Sequence, residues 1–360
     1  MTRPVAYLEW AKAEVGRLSV DLRLSGAPTR DLFALSREHP LHSTFFEDAE
    51  AGLRERLAER HHASPEQFLL APGTSGANFH ALAAFAGEGG EILCESPSYE
   101  PLWAIPRLLG RRLRFFEREA RLGWLPDPLA VEALLSHDTV AVVLSRPHNP
   151  TGVDIPVETL VAFGEMAEAH DLWVLVDEVY LEFLPQAVPA FKLHPRLVST
   201  ASLTKVHGLG PLRFGWVAGE PSLMKDIARA RDHVEVHPQA PTLALALALW
   251  PRLDAFAAEA RALAEAGRVV VDELLAARPD LDFSSPPGGL IGTVGWGGDD
   301  VALTRRLEAD SVGVTPGVFF RAPGGVRIAW GRGPAVVREG LEALLNAIHE
   351  DQGAAPKNTQ

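Results

Sequence analysis

Ser202-Leu203-Thr204-Lys205-Val206-His207-Gly208-Leu209-Gly210-Pro211-Leu212-Arg213-Phe214-Gly215-Trp216 is the stretch on which the reading of this chain turns. It sets a hydroxyl three residues before a lysine and an arginine eight residues after it, around a glycine-interrupted turn. A lysine that forms a Schiff base needs a lowered pKa and an aldehyde held beside it. A bound phosphate needs a hydroxyl and a guanidinium converging on it. The chain has only five lysines (Lys12, Lys192, Lys205, Lys225, Lys357) among its 34 basic residues, so few others compete with Lys205 for such a role. Read alone, the segment is equally a polar surface turn; its neighbours decide.

Around it, short β-rich runs alternate with helical patterns, which is the signature of a parallel sheet wrapped by helices. Strands are expected at Glu91–Glu95, Val140–Leu144, Trp173–Asp177, Leu197–Thr200 and Trp216–Ala218, with helices at Pro128–Leu135 and Pro156–His170. The unbroken apolar run Val140–Leu144 suits a strand covered on both faces. Past Trp250 the texture changes to a long helix over Arg252–Arg278, then strands at Leu290–Trp296, Gly313–Thr315 and Val326–Trp330 and helices at Ala302–Asp310 and Pro334–His349. The expected fold class is therefore α/β, a large domain with a mostly parallel sheet over residues 41–250. A smaller α+β domain is expected from both chain ends, 1–40 and 251–350, with the crossing near Pro40 and a flexible tail over 351–360.

Composition narrows the partners. A net charge of −13 over 360 residues argues against nucleic acid or an anionic membrane as the main partner, while leaving room for a small anionic ligand in a basic cleft. Cys94 is the only cysteine, so neither an intrachain disulfide nor a multi-cysteine metal site is expected. The run Leu243–Trp250 is far short of a membrane span, and Met1–Trp10 has no signal-peptide core. A cytoplasmic protein is the expectation.

Five further clusters stand around Lys205 in chain order. Gly73-Thr74-Ser75-Gly76-Ala77-Asn78 precedes an apolar helical run and offers backbone N–H groups to a phosphate. Pro97-Ser98-Tyr99 follows a strand and can lay a ring over a planar heterocycle. Arg146-Pro147-His148-Asn149-Pro150-Thr151-Gly152 fixes the Asn149 amide in a rigid turn. Leu175-Val176-Asp177-Glu178-Val179-Tyr180 ends an apolar strand on a carboxylate that needs a cationic or hydrogen-bonding partner. Gly324-Gly325-Val326-Arg327-Ile328-Ala329-Trp330 embeds a guanidinium in an apolar strand, which is costly unless it meets a carboxylate. Each has a bland counterpart: a structural turn, a core tyrosine, a helix cap or an internal ion pair.

Taken together, their order and spacing resemble the class I/II aminotransferases, the fold-type-I family of pyridoxal-phosphate enzymes, over roughly residues 20–348. The resemblance rests most on Ser202-x-x-Lys205 with Arg213, on Asn149-Pro150-Thr151-Gly152 and on Asp177-x-x-Tyr180. It implies that Lys205 holds pyridoxal 5'-phosphate as a Schiff base and that Asp177 pairs with the pyridinium nitrogen. Asn149 and Tyr180 would bond the ring hydroxyl, and Tyr99 would stack on the ring. Ser75, Gly76, Ser202 and Arg213 would hold the phosphate. Arg327 would take the substrate α-carboxylate, with the turn around Gly26 closing over it. The implied activity is amino transfer between an amino acid and a 2-oxo acid, in a homodimer.

One departure stands out. Where the family carries a tyrosine reaching the neighbouring subunit's phosphate, this chain reads His42-Ser43-Thr44-Phe45-Phe46-Glu47; His42 and Ser43 are the polar groups available instead. Trp10, Arg23, Trp103, Arg146 and His207 are candidate contacts for the substrate side chain, the arginines favouring an acidic one and the tryptophans an apolar one. The same lysine chemistry also serves a carbon–sulfur β-lyase, a cyclase or a decarboxylase. A non-catalytic ligand-binding homologue ranks lower, because Lys205 and Asp177 are both in place.

Overall fold

Strands that are apolar on both faces need cover on both sides, and that requirement organises the molecule. The computed structural model describes residues 3–13, 18–38, 46–85, 90–284 and 289–354. A two-residue strand β1 (Val20–Asp21) comes first, followed by β2 (Phe68–Pro72), β3 (Glu91–Ser96), β4 (Arg112–Glu117), β5 (Thr139–Ser145), β6 (Trp173–Asp177), β7 (Leu197–Ser202) and β8 (Phe214–Ala218). Strands β2 to β8 form one sheet in the order β2-β8-β7-β6-β5-β3-β4. Within it β8 runs antiparallel to both neighbours and the other pairings are parallel.

Side chains alternate between two apolar layers along each central strand. Ala141, Val143 and Leu175 join the layer under the helices Gly73–Ala84 and Pro221–Asp232, while Val142, Leu144, Val174 and Val176 join the layer under Val157–Ala169. This is the α/β architecture expected from the sequence. Two strands of this seven-stranded sheet were not expected. β4 is an edge strand whose arginines face solvent, so it has no apolar run to announce it, and β2 is short and ends on Pro72. The helix expected over Pro128–Leu135 stops at Glu132.

The second part comprises β9 (Asp282–Phe283), β10 (Ile291–Gly295), β11 (Val312–Gly313), β12 (Thr315–Pro316) and β13 (Gly325–Ala329). An antiparallel sheet runs β12-β13-β10-β9, and β11 pairs in parallel with β1. The stretch expected as one strand at Gly313–Thr315 thus divides between two sheets. Helices Leu253–Ala276 and Pro334–Ala354 pack over a core centred on the fully buried Trp330. Gly267 makes this close: a Cβ there would lie 2.0 Å from the Trp330 carbonyl oxygen.

The chain ends divide differently from the expected 1–40 and 351–360. Val20 and Leu22 belong to the small-domain core, but Leu35 packs in a large-domain cluster with Leu53 and Leu203. Helix Ala6–Ala13 is fastened to the large domain through Glu100. The last helix continues to Ala354, with Asp351 paired to Arg306 at 2.7 Å and Gln352 bonded by Arg278 at 2.9 Å, so the expected tail is helical over its first four residues. Pro40, His42, Ser43 and Phe45 lie outside the described residues. Among the described residues no helix is long and apolar enough to cross a membrane.

Candidate active site

Parallel strands gather the loops at their carboxyl ends along one edge of the sheet. β3 leads to Tyr99, β5 to Asn149, β6 ends on Asp177, and β7 ends on Ser202 and leads to Lys205. These meet the Gly26 turn and the start of helix Gly73–Ala84 around a cleft of about 700 Å³. Gly26, Ser75, Tyr99, Asn149, Asp177, Tyr180, Lys205 and Arg213 all line it.

At one end, donors converge without an acceptor worthy of them. Among the described residues the Arg213 guanidinium reaches only the carbonyls of Gly210 and Pro72, at 3.4 and 3.3 Å. Gly73, with φ of +73°, lets it approach, since a Cβ there would fall 2.5 Å from Nη2. Thr74 Oγ1 donates to Ser202 Oγ at 2.8 Å, and Ser202 and Thr204 share a hydrogen bond of 2.8 Å. With Ser75 in the first turn of the helix, this donor set fits a phosphate. Ser202 and Gly76 do not line the cleft; the absent side chain of Gly76 makes room for Pro72, whose Cγ would lie 2.5 Å from a Cβ.

Deeper in, Asp177 is buried and accepts from Asn78 Nδ2 at 2.8 Å and from the Val179 amide at 3.1 Å. Thr200 in turn donates to Asn78 Oδ1 at 2.5 Å and fixes the amide. Burial pushes the Asp177 carboxyl up to about 6, against the pull of these hydrogen bonds and of Lys205. A buried carboxylate raised in this way is receptive to a cation, as a protonated ring nitrogen would be. Lys205 Nζ lies 3.4 Å from Ser25 Oγ, which also accepts from the Tyr180 hydroxyl at 2.8 Å. The Gly26 turn lies against the lysine: Ala27 N donates to Lys205 O at 2.8 Å, and a Cβ on Gly26 would meet Lys205 Cδ at 3.3 Å.

Arg327 is fully buried beside the cleft. Its Nη1 donates to Asn149 Oδ1 at 3.1 Å, which leaves the Asn149 NH₂ as the free donor end of that amide. Its Nη2 reaches Arg23 O, Thr315 Oγ1 and the Tyr7 hydroxyl at 2.9, 3.3 and 3.4 Å, and Nε has no partner. Among the described residues no carboxylate lies within 4.0 Å of it. Burial raises the Tyr7 hydroxyl pKa, but the positive charges of Arg327, Lys205 and Arg23 outweigh that and hold it below the ordinary tyrosine value.

Tyr7, Ser25 and Asn78 were not singled out from the sequence. A signal for Tyr7 existed: the chain has three tyrosines against 16 phenylalanines, and all three, Tyr7, Tyr99 and Tyr180, line this cleft. Conversely, none of the five candidate side-chain contacts lines it. Arg23 is held bidentately by Asp21 and lies over Trp10, and Arg146 is taken up by Asp154, Glu178 and the Val188 carbonyl. His207 faces Glu182 at 3.2 Å, and Trp103 packs with Phe115 under Arg107.

The fold and site define an α/β protein whose main cleft gathers a lysine, a buried carboxylate and an arginine at the carboxyl ends of parallel strands. The family model for aminotransferase class I and II matches residues 36–344, and the chain belongs to that family. It is a transaminase that works with pyridoxal phosphate. A probable aspartate/prephenate aminotransferase of Thermus aquaticus is 27% identical over 82% of this chain and 81% of its own. An arginine–pyruvate transaminase of Pseudomonas aeruginosa is 29% identical over 84% of this chain and 81% of its own. The solved aspartate aminotransferase of Thermus thermophilus with maleate shares the fold, with a TM-score of 0.84 at 23% identity over 96% of this chain and 97% of that one.

Proposed function

We propose that Lys205 is the covalent anchor and proton carrier of this transaminase, which moves an amino group from an amino acid to a 2-oxo acid. The observation that carries the reading is the cleft itself, where Lys205, Asp177, Tyr180 and an Arg213 held only by backbone carbonyls among the described residues converge. When bound, the cofactor supplies an electron sink conjugated to the substrate Cα. Asp177 would set its negative charge against the ring nitrogen. Asn149 Nδ2 and the Tyr180 hydroxyl would donate to the ring oxygen, and Tyr99 would cover one wall. Arg213, Ser75 and the Thr74–Ser202–Thr204 hydroxyls would hold the phosphate, with the N–H of Gly76 at the helix start. Arg327 takes the substrate α-carboxylate and thereby fixes which Cα bond is presented for cleavage. Lys205 Nζ then takes the proton from Cα and returns it during transfer.

We further propose a homodimer in the cytoplasm. The exposed Val234 and Val236, next to Glu235 at the Arg213 shoulder, support a subunit contact there, and the single buried Cys94 suits a reducing compartment.

The test is a visible absorption spectrum of the protein loaded with pyridoxal phosphate, followed by a panel of amino acids. Bleaching by an amino acid, with recovery on adding a 2-oxo acid, supports transfer. Release of ammonia and pyruvate without an acceptor would move the reading to a lyase, and absence of any bound band would sink it.

A further inference from the structure

Among the described residues, four basic side chains line the cleft, Lys12, Lys205, Arg213 and Arg332, against one carboxylate, that of Asp177. In a chain of net charge −13 that local excess is itself informative. Lys205 and Arg213 have roles in the proposed transamination, on which this inference rests. Lys12 and Arg332 have none, and among the described residues neither makes an ion pair or hydrogen bond.

Both are presented by constrained backbone. Lys12 is on helix Ala6–Ala13, whose first amides are capped from afar: Ala6 N and Tyr7 N donate to the two carboxylate oxygens of buried Glu100 at 3.0 and 2.6 Å. Glu100 directly follows Tyr99, so the helix is registered against the residue that walls the cleft. Leu8 and Lys12, four residues apart on one helix face, both reach the cleft. Arg332 comes from the other side, two residues past the fully buried Trp330. Its neighbour Gly331 packs on the Gly26 turn, where a Cβ would lie 3.5 Å from Gly26 O. Arg332 therefore follows a residue that packs on the turn against Lys205, five positions beyond Arg327.

We infer that Lys12 and Arg332 select an amino donor whose side chain ends in a second anionic group, a carboxylate or a phosphate ester. With the α-carboxylate held at Arg327, the remaining cations of the cleft face the distal part of the substrate. A cationic side chain is repelled there, and a neutral one gains nothing from the two charges. The two arginines that the sequence offered for this role, Arg23 and Arg146, are already paired with protein carboxylates.

The experiment compares kcat/KM of the loaded enzyme for glutamate against glutamine and for O-phosphoserine against serine, in the wild type, Lys12→Ala, Arg332→Ala and the double variant. The wild type is expected to prefer the anionic member of at least one pair by about tenfold or more, a preference that falls with added salt. The pair that shows it tells carboxylate from phosphate ester. The double variant is expected to bring the ratio near unity, and Arg332→Lys to restore most of what Arg332→Ala loses. Binding of the unreactive dicarboxylate glutarate, followed by calorimetry, is expected to weaken about tenfold in the double variant, independently of turnover. A wild type that prefers neutral or cationic donors, or a double variant with undiminished anionic preference, overturns the inference while transamination stands. Loss of the cofactor band and of turnover with every donor removes the underlying reading as well.

Discussion

Arg118 and Arg327 are both buried guanidinium groups in strand-associated positions, and they are treated in opposite ways. Arg118 is paired with a carboxylate: Nη1 meets Glu95 at 2.8 Å, Nε donates to the Trp124 carbonyl, and Glu95 also accepts from the amide and hydroxyl of Ser145, while Nη2 has no partner among the described residues. That network ties the ends of β3 and β5 together, just where the chain turns toward Tyr99 and Asn149. Arg327 is left to neutral oxygens, with Nε unmet. A buried charge closed by a protein carboxylate is architecture, whereas one left to neutral acceptors marks where an outside carboxylate belongs.

That contrast can be broken at several points. The largest expected effect lies at the lysine between the two: Lys205→Ala should lower turnover by at least about 10³-fold while leaving the melting temperature of the cofactor-free protein nearly unchanged. Arg327→Ala should lower kcat/KM for amino acids by about 10²-fold or more, since the partner of a buried charge pair is lost, yet leave the free protein as stable as before or more so. Arg118→Ala should do the reverse, destabilising the fold by about 3–5 kcal/mol through the uncompensated Glu95. Denaturant titration of both variants decides it; equal destabilisation would erase the distinction between the two arginines.

The smallest effect concerns pH. Asp177, raised to about 6 in the fold, binds a proton more tightly there than in the unfolded chain. Its contribution to stability is therefore present below the ordinary carboxyl range and lost as pH rises through about 6. Asp177→Asn should accordingly gain stability relative to the wild type between about pH 4 and pH 7, by up to about 3 kcal/mol in the cofactor-free protein. Cofactor binding should reverse the ranking. A difference that does not change with pH would show that the carboxylate bears no burial penalty.

The sequence made two strand ends legible because apolar runs stop abruptly after Leu144 and at Asp177, with polar groups at each stop, whereas β7 was expected to end at Thr200 and runs on to Ser202. It failed where meaning depends on distant partners. Arg146 looked available until the fold brought Glu178 and Val188 to it from 32 and 42 residues away. Tyr7 was missed despite the scarcity of tyrosine, because its position depends on Glu100, 93 residues on. β4 escaped notice because its alternation, Arg112-Leu113-Arg114-Phe115, spans only four residues before Phe116 breaks it. The small domain was legible as helices and strands but not in its pairing, since β1 and β11 are two-residue strands that exist only through each other.

The close seat of Gly26 on Lys205 has a consequence for how this enzyme can change over time. A side chain at Gly26 would press on Lys205, its Cβ only 3.3 Å from Cδ, so reshaping that turn for a new substrate requires the reactive lysine to yield by a few tenths of an ångström. The Leu8–Lys12 face and Arg332 touch the same cleft without such coupling. Adaptation to a different amino acid is thereby channelled to the N-terminal helix and the residue after Gly331, where a lineage can experiment at little risk to catalysis.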